Sequence, residues 1–207
     1  METQDVYNLI ILDESGSMQS IKQSTINGFN EVVQTIKDVQ KTFPEQRHFV
    51  SLVSFSGNQV RTLIDSQPVA GLRELSQNEY RPNSSTPLFD AIGLSVTRLR
   101  YDQAGNKEAK FLVTILTDGE ENSSREYNGR QVKALISELK EKGWTFTYIG
   151  ANHDVDKTAF SLSITNTMTF QSDPEAVKEM FIREKDARMN YSRKMQNKED
   201  LKEDYYK

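Results

Sequence analysis

Apolar residues fall into two patterns along the chain: short continuous runs, and longer stretches where they recur every three or four positions. Residues 7–12 (YNLIIL) form a run that predicts a strand buried on both faces. Residues 21–43 follow with Ile21, Ile26, Phe29, Val32, Val33, Ile36 and Val39, the spacing of a helix, which Pro44 stops. Residues 48–55 read as a strand, and the tight turn Ser56-Gly57-Asn58 leads into residues 59–64, which implies an antiparallel hairpin. Helical spacing returns over residues 87–99, with Pro87 in the first turn, and over 131–142, closed by Gly143. Residues 111–116 and 145–149 are strand-like runs. A short helix (155–162), a short strand (167–170) and a helix from Pro174 complete the order. Strands alternating with helices predict an α/β fold: an open, mostly parallel sheet with one antiparallel edge strand and helices on both faces. Residues 72–85 show no regular pattern, and a segment of that length is usually functional or mobile.

Residues 183–207 look different. Apolar positions are sparse, and KEDLKEDYYK mixes charges without a helical stripe. The expectation is a domain over residues 1–182 followed by a charged, solvated helix that frays into a tail.

Composition narrows the function classes. The 207 residues suit one domain, and 36% apolar with 27% charged residues reads as soluble and globular. No run approaches the roughly 18 apolar residues of a membrane helix, and METQDVYN lacks the basic and apolar regions of a secretory leader. A cytoplasmic, membrane-free monomer is the default expectation. Net charge of −4 argues against a general nucleic-acid binder. Cys is absent, which removes thiolate chemistry, and two His residues, His48 and His153, offer little for zinc. His153 reads as part of a polar surface loop, and His48 opens a strand with nothing catalytic about it.

Ligands of open α/β sheets bind beyond the carboxyl ends of the strands. The loops there are DESGS (Asp13, Ser15, Ser17), LTDGEEN (Asp118) and RPNSSTPLFDAIG (Thr86). All three offer carboxylate or hydroxyl oxygens and no imidazole. Hard oxygen donors suit Mg²⁺, Mn²⁺ or Ca²⁺, not zinc or copper. The alternation Asp13-x-Ser15-x-Ser17 lets every second side chain of an extended loop face one point, while Gly16 permits the turn. One coordination position can then stay open to an outside oxygen.

These segments, in this order, resemble the von Willebrand factor A (vWA) domain and its metal-ion-dependent adhesion site, over roughly residues 5–182. The family's Asp-x-Ser-x-Ser pattern falls on Asp13, Ser15 and Ser17, its separate Thr on Thr86 and its second Asp on Asp118. The resemblance implies a Rossmann-like fold, metal coordination by these five residues, with Mg²⁺ or Mn²⁺ ahead of Ca²⁺, and capture of a partner's Asp or Glu carboxylate. In the family the Ser residues ligate directly, the two Asp directly or through water, and the Thr joins or leaves with conformational state. Analogy with intracellular, bacterial-type relatives points to a protein partner, an AAA+ ATPase system of the MoxR kind among them.

Competing readings are weaker. A turn and helix cap would explain DESGS alone, but not Thr86 and Asp118 beside it. Asp90 is a possible sixth ligand, although a first-turn acid also suits the helix dipole. Glu14, Glu120 and Glu121 are expected to form an acidic rim. A haloacid dehalogenase-like phosphohydrolase would need a second Asp at position 15, where this chain has Ser15, so no general acid is in place. No G-x-S-x-G elbow or P-loop occurs. A non-enzymatic metal-dependent binding module is the preferred reading, with a scaffold that keeps the metal for stability as the other binding-class alternative.

Overall fold

β1 (Gln4–Asp13) runs through the middle of the molecule, and from Val6 onward each of its residues is buried. The structure, a computed structural model, describes residues 3–201, 205 and 206. Around β1 lie β2 (Gln46–Ser56), β3 (Gln59–Pro68), β4 (Lys110–Thr117), β5 (Thr145–Gly150) and β6 (Asn166–Thr169). The sheet order is β3-β2-β1-β4-β5-β6. β3 pairs antiparallel with β2, and the other pairings are parallel. The expected open, mostly parallel sheet with an antiparallel edge strand is therefore what the chain adopts.

The helices are α1 (Lys22–Thr42), α2 (Leu88–Asp102), α3 (Gly129–Glu141), α4 (Val155–Ser161) and α5 (Pro174–Gln196). Alternation along β1 divides them between two layers. Tyr7, Leu9 and Ile11 join the core under α2, α3 and α4, whereas Ile10 and Leu12 join the core under α1 and α5. Parallel register puts Tyr7 opposite both Phe49 and Phe111. Their rings stack at centroid distances of 4.9 and 5.5 Å, and Phe111 stacks on Trp144 at 4.1 Å. After the β2-β3 hairpin the chain crosses to the opposite side of β1, so the strand order reverses between β1 and β4. Their carboxyl ends consequently flank a crevice, the place where such sheets bind ligands.

Two expectations change. The stretch over residues 72–85 is irregular but tied down: Leu72, Leu75 and Tyr80 are buried, and Asn30 exchanges two hydrogen bonds with Leu75. The segment from Arg183 onward is no solvated tail where it is described. α5 continues unbroken to Gln196, with Glu184, Ala187, Arg188, Tyr191 and Ser192 buried. Tyr205, also buried, donates its backbone N–H to Asn166 Oδ1 at 3.1 Å. The reason is a polar interface that hydrophobic patterning does not register. Arg188 donates to Asn8 Oδ1 and Thr114 Oγ1 at 3.0 and 2.8 Å and pairs with Glu184 at 2.9 Å. Residues 202–204 and 207 of that segment lie outside the described residues.

Candidate functional site

β1 ends in Asp13 and β4 in Thr117, so Asp13 and Asp118 stand at adjacent strand ends. Asp13 is fully buried. Its Oδ1 accepts the Ser15 N–H at 2.7 Å, a local turn that sets the direction of the DESGS loop. Its Oδ2 accepts the Thr117 hydroxyl at 2.5 Å. From Ser15 the hydroxyls continue across the crevice: Ser15 Oγ lies 3.1 Å from Ser17 Oγ, and Ser17 Oγ donates to Asp118 Oδ1 at 2.6 Å. Thr86 closes the group. A methyl on Gly119 would lie 3.5 Å from Thr86 Oγ1 and 3.9 Å from Ser17 Oγ, which places both oxygens against that glycine. All five residues singled out from the sequence thus converge on one spot.

Their electrostatics suit a bound cation. Burial raises the Asp13 carboxyl to about 6, helped by the charge of Asp118 and opposed by hydrogen bonds from Thr117 and Ser15. Burial also raises Asp118, against its bond from Ser17. Asp118 Oδ2 is buried with no hydrogen-bond partner. Buried carboxylate oxygens are normally paired, so the orphan fits a site that receives a cation. Among the described residues no cluster of three or more His, Cys, Asp or Glu is arranged around a metal position. The donor set here is two carboxylates and three hydroxyls, the chemistry of a hard cation.

The acids around this group have other duties than expected. Glu14 is buried, not part of a rim. Its carboxylate accepts both bonds of Arg61 Nη2, at 2.7 and 2.5 Å, together with the Arg81 N–H. Glu121 accepts the backbone N–H groups of Phe89, Ser123 and Ser124. Asp90 accepts those of Arg125, Glu126 and Tyr127, so it pins the loop after β4 instead of joining the ligand group. Glu120 alone of the three rim candidates is exposed. His153 is half-buried: its Nδ1 faces the Ala151 carbonyl, and its Nε2 lies 3.1 Å from the Tyr148 hydroxyl.

Several supporting residues escaped the sequence reading. Thr117 could have been read from its place beside Asp118. Tyr80, which donates to the Asp13 carbonyl at 2.6 Å, and Arg61 carry no local signal, since only the folded loop and hairpin bring them to β1.

An open α/β sheet with a hydroxyl–carboxylate crevice at its strand-order reversal defines the class of the protein. The family profile described as the von Willebrand factor type A domain matches residues 9–190. The chain belongs to that family, whose members serve as protein-interaction modules in many proteins. Solved structures agree on the fold. A von Willebrand factor type A protein from Catenulispora acidiphila is 17% identical with a TM-score of 0.58, covering 90% of this chain and 43% of its own. The SpRpn10 VWA domain is 9% identical with a TM-score of 0.60, covering 86% and 94%. The pilus adhesin SpaC from Lactobacillus rhamnosus GG, in its open conformation, is 13% identical with a TM-score of 0.60, covering 91% and 30%. The chain therefore spans under half the length of the first and third of these. No curated protein matches it. No helix among the described residues is long and apolar enough to cross a membrane.

Proposed function

We propose that this domain binds a protein partner through a divalent cation held by Asp13, Ser15, Ser17, Thr86 and Asp118. The buried, unpartnered Asp118 Oδ2 carries this reading, and the all-oxygen donor set favours Mg²⁺ or Mn²⁺. A cation here leaves room for one outside oxygen, and the partner supplies it from an exposed Asp or Glu. Because Arg61 neutralises Glu14, the rim repels acidic partners through Glu120 and Glu121 alone. The partner's carboxylate consequently needs less basic flanking than a rim of three free acids would demand. A cytoplasmic setting and an AAA+ ATPase assembly as partner belong to the same proposal.

Thermal unfolding with and without each ion tests the site. At ten times its dissociation constant a bound cation adds about 1.4 kcal/mol, which raises the melting temperature by roughly 2–4 °C in a domain of this size. Asp118→Asn should abolish that rise and still fold. Wild-type protein that melts identically with Mg²⁺, with Mn²⁺ and with chelator would refute the metal reading. If the ion binds but a glutamate-bearing peptide array shows no chelator-sensitive capture, the metal serves stability alone.

A further inference from the structure

Thr86 is held by a residue on another loop. Its backbone N–H donates to Asn122 Oδ1 at 2.8 Å, and its carbonyl accepts the Asn122 N–H at 3.1 Å. Both polar backbone groups of Thr86 are thus satisfied by one residue 36 positions away. Pro87 follows, and a residue before proline is confined to extended backbone. With its backbone shape restricted and its peptide groups fixed in space, Thr86 has little freedom left in where its Cβ points. Asn122 is fixed in turn. Glu121 beside it accepts three backbone N–H groups and the Ser124 hydroxyl, and Asp118 stands four residues before it on the same loop. Asn122 is nevertheless solvent-exposed, so no core packing accounts for an amide there.

We infer that Asn122 is the positioning residue for Thr86: it welds the Thr86 loop to the Asp118 loop so that both ligands reach the cation as one body. The inference rests on the metal reading above.

The test is Mg²⁺ titration calorimetry, with Mn²⁺ binding followed by paramagnetic resonance, on the full chain. Asn122→Ala removes the acceptor for the Thr86 N–H and should weaken both ions about tenfold. Asn122→Gln keeps an amide but displaces its oxygen by one methylene, and should weaken them as well, which covers the case in which the alanine variant does not fold. Asn122→Asp keeps the acceptor in place and should bind at least as tightly as wild type. In a Thr86→Ala background Asn122→Ala should cost nothing further, because Asn122 acts through Thr86. A purely structural residue would lower the metal-free melting temperature and leave ion affinity unchanged; that result overturns the inference, as do additive losses in the double variant. Wild-type protein that takes up neither ion defeats the metal reading itself, and the inference with it.

Discussion

His48 shows what a single buried side chain adds to the pH response. It is 3% exposed at the start of β2. Its Nδ1 faces the Asn8 amide nitrogen and its Nε2 faces Gln46 Oε1, both at 3.3 Å, so the neutral ring is satisfied on both sides. Burial, then the charge of Arg188, holds it down at about 4, against 6.5 when unfolded. Between those values the unfolded chain takes up a proton that the fold refuses, so stability is lost as pH falls from 6.5 towards 4. The effect is on the order of 3 kcal/mol. Asp13 in the metal-free protein works the other way. Its raised value lets the fold bind a proton first, so acidification below about 6 adds stability. Urea titrations of wild type and His48→Gln across pH 7 to 4 separate the two: the variant's stability should fall less steeply with acid. Parallel curves would show that His48 contributes nothing. None of this was visible in the sequence, where His48 merely opens a strand; its partners Asn8 and Arg188 come from β1 and α5.

Elements meet where small residues allow it. α1 crosses α5 at Gly28, and a methyl there would lie 1.8 Å from a ring carbon of Phe181. Gly28→Ala therefore improves helix propensity but overpacks the crossing. The second effect wins, with an expected net loss of about 1–3 kcal/mol in chemical denaturation. A neutral or stabilising result would mean that the helices separate at little cost. At the start of α3, Asn128 and Gln131 form a reciprocal cap, each side chain accepting from the other's backbone N–H. Asn128→Ala should cost about 1 kcal/mol by the same measurement. The helices themselves were legible from spacing, and Pro44 and Gly143 from their roles; Gly143 indeed takes a left-handed φ of 86° after α3. Their crossings were not, because the pattern of one helix does not say which neighbour it meets.

The whole molecule closes through polar groups far from the crevice. Glu184 and Arg188 are both buried, and the Tyr205 and Tyr206 hydroxyls donate to the two Glu184 oxygens at 3.2 and 2.9 Å. Arg188 and those two phenols satisfy Glu184 together. Tyr205→Phe combined with Tyr206→Phe withdraws two donors from a buried carboxylate, at a cost of about 2 kcal/mol or more. The melting temperature should fall, while the response to Mg²⁺ stays that of wild type, because the network contacts the middle of the sheet and the cation group lies beyond its strand ends. A changed ion affinity in that variant would show the two regions to be coupled.

By itself the sequence determined the alternation of strands and helices, the antiparallel hairpin, and the three loops that bring Asp13, Ser15, Ser17, Thr86 and Asp118 to one sheet edge. Those features follow from periodicity and from short motifs, which are local. Tertiary structure alone decided which acids are free. Glu14 looked like a rim charge until β3 placed Arg61 beside it, and Arg183 onward looked solvated until the sheet offered Asn8, Thr114 and Asn166. Asp90 read as a helix-dipole acid until the loop after β4 folded back on α2. A charged side chain carries no sign in the sequence of whether water or a distant donor will satisfy it. That choice is made by register and crossing geometry, which exist only once the chain has folded.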